Sequence, residues 1–124
     1  MTLTLYPEDY AVCQLAASAA VPDWANDGRF NSISKTEDEL SIVCESTLIK
    51  GDIRAEKGWR TFKLHGPFAF DELGIIASLT TPLAKAGVGV FVISTFNTDY
   101  LMVKAAQLQE TLMVLENHHN VKKL

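Results

Sequence analysis

The sequence is poor in cysteine, has no long apolar run and carries no surplus of positive charge. Its two cysteines, Cys13 and Cys44, are too few for a disulfide scaffold. No apolar stretch approaches the ~20 residues that span a bilayer as a helix. The opening segment MTLTLYPEDY lacks a basic start followed by an apolar stretch, so no secretory signal is expected. Eleven Lys and Arg against fifteen Asp and Glu give a net charge of −4, which argues against a surface that covers nucleic acid phosphates. No Gly-rich phosphate loop, zinc motif or serine elbow is legible. No pair of titratable residues has an evident acid–base geometry, so no catalytic residue, cofactor or metal is expected. What is present is apolar: 48% hydrophobic residues in a chain of 124 exclude disorder. The expectation is a small, soluble, cytoplasmic domain, or two small subdomains sharing a core.

Turn residues divide the chain into two passes of similar character. TLTLY and YAVCQLA read as strands on either side of Pro7-Glu8-Asp9. Pro22-Asp23-Trp24 opens a short helix that Asn26, Asp27 and Gly28 stop. FNSISKT and LSIVCES read as strands joined across Glu37-Asp38-Glu39, itself a solvated turn. The polar, Gly-flanked stretch from Ile49 to Gly58 is the expected seam, dividing the chain into residues 1–58 and 59–124.

The second pass starts with the strand WRTFKLHG and the loop Gly66 to Phe70. Spacing predicts a helix from about Asp71 to Ala86, with Leu73, Ile76, Leu79 or Thr80, and Leu83 on one apolar face and Gly87 as its stop. Pro82 inside that helix should kink or loosen it. GVGVFVIST and DYLMVKA are the next strands, and Leu108, Leu112 and Leu115 mark a final helix ending near Asn117. Residues from Asn120 onward form a short edge strand or fray. Laying Phe30–Val43 on Val90–Val103 without gaps pairs Ile33 with Ile93, Ser34 with Ser94 and Val43 with Val103, which suggests an internal duplication. The element order predicts an α+β fold of tandem ferredoxin-like βαββαβ repeats, with helices on one face of the sheet and a degenerate first repeat. Halves of about 60 residues are too small for comfortable independent cores, so they should pack together and whole chains should pair.

Three stretches carry a resemblance: GPFAFDELGII before the first long helix, PLAKAGV at its end, and the hairpin ISTFNTDYLMV. Together they resemble the ACT-domain family, in the tandem-ACT branch that includes small stand-alone bacterial proteins and the CASTOR-like arginine sensors of animals. FNSISKTEDELSIV looks like the equivalent hairpin of a shortened first repeat. The resemblance implies a regulatory sensor with no catalytic activity of its own. It implies an amino acid or related small metabolite held at an ACT–ACT interface, in a homodimer, with an unidentified protein partner. The alternative is a ligand-free interaction module on the same fold.

Within that frame the loop and helix start supply the candidate ligand-binding residues Pro67, Phe68, Asp71, Leu73, Gly74 and Ile75. Unpaired N–H groups at a helix start suit a carboxylate, and Gly74 lets a ligand or a neighbouring backbone approach closely. Asp71 reads equally as a ligand for an ammonium group or as an N-cap. From the hairpin come Ile93, Ser94, Thr95, Phe96 and Thr98, whose hydroxyls and strand-end backbone groups suit the polar end of an amino acid. Asp99 reads as a turn residue or surface acid. His118 and His119 are adjacent, so they do not share a helical face as metal ligands; both read as cations favoured at a helix C-terminus. His65 reads as a satisfied structural histidine, Cys13 and Cys44 as buried thiols, Phe62 and Phe91 as core, and Trp24 and Trp59 as seals between the halves.

Overall fold

Two-residue alternation sends Leu3 and Leu5 of β1 (Thr2–Leu5) to one side of the strand and Thr2 and Thr4 to the other. Phe62 and Leu64 repeat the pattern at the end of β5 (Arg54–Leu64), as do Leu101 and Val103 in β7 (Asp99–Lys104). The computed structural model, which describes residues 1–68 and 73–124, buries these six side chains in one core. Leu79 and Leu83 of α1 (Ile75–Lys85) and Leu112 and Leu115 of α2 (Leu108–Glu116) complete it. Both helices therefore cover the same face of the sheet. Each such leucine contributes about 1.5–3 kcal/mol by leaving water. β1 is antiparallel to β5 and parallel to β8 (Asn120–Lys123), β7 pairs with β5, and β6 (Val90–Ser94) is antiparallel to β7. This unit comprises Met1–Pro7 and Arg60–Leu124.

Residues Glu8–Trp59 form the second unit. In it β2 (Tyr10–Leu15) is antiparallel to β4 (Leu40–Glu45) on one side and to the first part of β5 on the other, and β3 (Ser32–Lys35) pairs with β4. Ala11 and Cys13 face Leu40, Ile42 and Cys44 in a core capped by Trp24 and Ala25 of a 3-10 turn at Asp23–Asn26. Among the described residues this unit has no α-helix; a 3-10 turn at Ser46–Leu48 stands where a second helix would come. The α+β class, the helices on one face and the degenerate first half are as the sequence predicts. Trp24, read above as a seal between halves, packs within the core of its own unit.

Several boundaries differ from expectation. Ile49–Gly58 is not a linker throughout, because β5 starts at Arg54 and runs through Gly58. The compact units are also not residues 1–58 and 59–124: Met1–Pro7 joins the later part of the chain, because β1 finds its partners in β5 and β8. The first long helix begins at Ile75 rather than near Asp71. Gly74 adopts a left-handed conformation (φ +78°) that a right-handed helix cannot include, so Leu73 lies outside it and is 93% exposed. Pro82 stays inside α1, and the helix continues past it to Lys85.

The gap-free alignment of the two hairpins also shifts. β3 and β4 close on the pair Lys35–Leu40, and β6 and β7 close on Ser94–Asp99. In each turn the first residue is a threonine, Thr36 or Thr95, whose N–H and hydroxyl both bond the carbonyl three residues on. Structurally equivalent residues thus lie 59 positions apart. Ile33 therefore matches Val92, and the three identities found at an offset of 60 are not equivalences. In a strand a one-residue slip reverses every side chain.

Candidate functional site

The hairpin turn after β6 is held by its own hydroxyls. Thr95 donates its N–H (2.8 Å) and its Oγ1 hydroxyl (2.9 Å) to the Thr98 carbonyl. Thr98, buried, donates its hydroxyl to the Leu64 carbonyl at 2.8 Å, and the Phe68 N–H reaches the Asn97 carbonyl at 2.9 Å. These bonds bring the turn against the segment that leaves β5. Gly66 makes the approach possible, because a Cβ there would lie 2.6 Å from the Asn97 carbonyl oxygen.

Between this turn and the first turn of α1 lies a cleft of about 340 Å³. Phe68, Gly74, Ile75, Ile76 and Ala77 line one side, and Ser94, Thr95, Phe96, Asn97, Thr98 and Asp99 the other. The first intrahelical bond runs from the Ser78 N–H to the Gly74 carbonyl at 2.9 Å. The N–H groups of Ile75, Ile76 and Ala77 therefore have no acceptor within the helix, and among the described residues no side chain caps them. Across the cleft Asp99 is half-buried and accepts the Ser94 hydroxyl at 2.5 Å. One cleft thus joins hydrogen-bond donors at a positive helix end, a carboxylate, and the apolar surfaces of Phe68, Ile75 and Phe96.

Seven of the residues proposed from sequence meet here: Phe68, Gly74, Ile75, Ser94, Thr95, Phe96 and Thr98. Three do not line the cleft. Ile93 alternates with Ser94 along β6 and so points to the other face of the sheet. Leu73 points into solvent, and Pro67 is exposed beside the cleft. Asp71 lies outside the described residues. Sequence reasoning missed Ile76, Ala77 and Asn97, and it took Asp99 for a turn or surface acid. The signal for Asp99 was available: it shares parity with Leu101 and Val103, so it faces the helix-covered side.

The other candidates resolve locally. His65 is exposed and its Nε2 lies 2.5 Å from the Thr4 hydroxyl, away from the cleft lining. Phe62 is fully buried, whereas Phe91, read as core, is 36% exposed because, among the described residues, β6 pairs with β7 alone. Cys13 and Cys44 are buried free thiols close to each other, and burial pushes both up, Cys44 to about 12. His119, expected as a helix-end cation, is held below the ordinary histidine value by burial, then by the Met1 amine and His118. Among the described residues no cluster of His, Cys, Asp and Glu suits a metal ion, and no helix is long and apolar enough to cross a membrane.

A family model for the ACT domain matches residues 54–117, and a model for an N-terminal domain matches residues 8–52. The human cytosolic arginine sensor for mTORC1 subunit 1 is 39% identical over 59 residues, and its bovine counterpart 36% over 63. These matches cover 47% and 50% of this chain but only 18% and 19% of the sensors, so the chain spans about a fifth of the curated relatives it matches. A crystal structure of an Agrobacterium tumefaciens protein superposes with a TM-score of 0.92 at 44% identity, covering 99% of this chain and 92% of that one. The regulatory subunit of aspartate kinase from Thermus thermophilus shares the fold, with a TM-score of 0.63 at 8% identity over 93% of this chain and 95% of that one.

Proposed function

The chain belongs to the ACT domain family, and from that premise we propose that it is a regulatory, non-catalytic domain that binds an amino acid in the cleft between α1 and the Thr95–Thr98 turn. The observation that carries the reading is the pairing of opposite polar ends in one cleft. The N–H groups of Ile75, Ile76 and Ala77, uncapped among the described residues, suit the ligand carboxylate. The Asp99 carboxylate, already oriented by Ser94, suits its ammonium or another cationic group. Phe68, Ile75 and Phe96 offer apolar contact to the rest of the ligand. Binding would favour one arrangement of the site and alter contact with a protein partner.

Dimerisation belongs to the same reading. β8 carries Lys122 and Lys123 and β3 carries Lys35, charges that discourage edge pairing. β6 (VFVIS) has no charge, and Phe91 and Val92 are each 36% exposed. A second copy is its natural partner, which would bring the cleft end of β6, at Ser94, to an interface. Sedimentation at several concentrations tests this; a monomer throughout would remove it.

The decisive experiment is a thermal-shift screen of all amino acids at millimolar concentration, beginning with L-arginine because the matching curated relatives are named arginine sensors. A ligand at a hundredfold excess over its Kd stabilises the native state by about 2.7 kcal/mol. A specific shift supports the reading; folded protein that responds to no amino acid overturns it. A ligand-free interaction module is the second reading, favoured by two strongly exposed apolar side chains near the cleft, Leu73 at 93% and Phe96 at 80%.

A further inference from the structure

Charge is divided unevenly along this chain. Glu8–Trp59 holds ten Asp and Glu against five Lys and Arg, a balance of −5. The other unit, Met1–Pro7 with Arg60–Leu124, holds five against six, a balance of +1. Within that unit the two signs also separate by face. Leu3, Leu5, Phe62, Leu64, Val103 and Val121 turn to the helix-covered core. Alternation therefore sends Thr4, Lys63, Lys104 and Lys122 to the open face of the sheet. Strand register sets Thr4 directly between Lys63 of β5 and Lys122 of β8. His65 joins this row, with its Nε2 2.5 Å from the Thr4 hydroxyl. The described acids of the unit lie elsewhere: Asp99 lines the cleft beside α1, and Glu110 and Glu116 sit on α2. Among the described residues neither Lys63 nor Lys122 has an ion-pair partner.

We propose that this open face docks a second copy of the chain, which seats the acidic turn between its β3 and β4 there. That turn is fixed by Thr36, whose hydroxyl accepts the N–H groups of Asp38 and Glu39, each at 3.1 Å. The Thr36 N–H closes it on the Glu39 carbonyl at 2.9 Å. Glu37 and Asp38 are left exposed, with no ion pair among the described residues. A basic face and an acidic turn on one chain are complementary between copies. Two-fold pairing uses the contact twice, each copy giving its turn and receiving the other's. Exposed charges of this kind make a weak, salt-sensitive contact. It is separate from the amino acid cleft and from the uncharged strand β6.

The test is sedimentation equilibrium of the whole chain at about 0.1 M and about 1 M salt, with no amino acid added. At the lower salt the Debye length of about 10 Å screens the long-range repulsion of two −4 chains but spares contacts within a patch; at the higher it is about 3 Å. The association constant is expected to fall about tenfold or more between them. Lys63→Glu with Lys122→Glu should remove the salt-sensitive association, as should Glu37→Lys with Asp38→Lys. Mixing the two double variants should restore it, because every facing pair again has opposite sign. Circular dichroism checks that the variants fold, and the wild-type salt series decides even if one does not. A monomer at every concentration would overturn the proposal, as would a mixture no more associated than its components. Equal association at both salts would also overturn it and give the contact to β6. Binding of poly-L-glutamate by a chain that stays monomeric would overturn it too, assigning the face to an acidic partner of another kind. Failure of the amino acid screen leaves each of these outcomes readable.

Discussion

The Thr98 hydroxyl donates to the Leu64 carbonyl at 2.8 Å, with Thr98 only 6% exposed. This bond ties the hairpin turn to the end of β5. Thr98→Val keeps the shape but takes a hydroxyl donor from that carbonyl, a loss of about 0.5–1.5 kcal/mol. Urea unfolding should show that loss; a change within error would mean that water or a shifted turn replaces the bond.

Gly66 and Gly74 are glycines for different reasons, and substitutions should separate them. A Cβ at Gly66 would meet the Asn97 carbonyl, so alanine costs about 1–3 kcal/mol through overpacking and asparagine costs more. At Gly74 nothing among the described residues lies within 4 Å of the Cβ position, and its left-handed φ is what disfavours a side chain. Alanine there costs about 1–2 kcal/mol, and asparagine, which tolerates that conformation, costs less. The reversed order of alanine and asparagine at the two sites is the outcome to check by denaturation midpoint.

Asp99→Asn should leave the fold intact, since the side chain is only half-buried, and should weaken amino acid binding about tenfold to a hundredfold. That corresponds to losing a charged hydrogen bond of about 1.5–3 kcal/mol. Isothermal titration with the amino acid that shifts the melting temperature reads this directly. Unchanged affinity would move the ligand's cationic group away from Asp99.

His119 gives the stability a pH dependence of known sign. In the folded chain its value is lowered from the ordinary 6.5 by burial, the Met1 amine and His118. Between the folded value and 6.5 the unfolded chain binds more protons, so stability is full above 6.5 and falls as pH drops through that window. Urea midpoints should decline there in the wild type, and this component should be missing in His119→Gln.

The thiols should be inert while the protein is folded. Burial is the largest cause raising both, and the neighbouring Cys13 and Glu45 add to it at Cys44, which reaches about 12. A thiol that stays protonated is a poor nucleophile. A colorimetric thiol reagent at neutral pH should label neither cysteine in native protein and both in urea.

Much of the architecture was written in local pattern. Alternation in TLTLY, YAVCQLA and DYLMVKA, and the three- to four-residue spacing of Leu79, Leu83, Leu112 and Leu115, reflect which faces must leave water. GPFAF and ISTFNT, which supply most of the cleft lining, were recognisable as loop and turn. Partners were not, because a strand's pattern states which face it buries and not which strand it joins. Only the fold gave β1 to β5 and β8, and so moved Met1–Pro7 into the later unit.

The sequence by itself therefore determined that two helices would cover one face of a sheet and that a polar turn would sit near a glycine-led helix start. Tertiary structure decided the details on which chemistry depends. It bonded Thr98 to the Leu64 carbonyl and Phe68 to the Asn97 carbonyl, and so set the turn before Asp99 against the helix start at Ile75. These are contacts between residues distant in the chain, fixed by packing and hydrogen-bond satisfaction rather than by any local propensity.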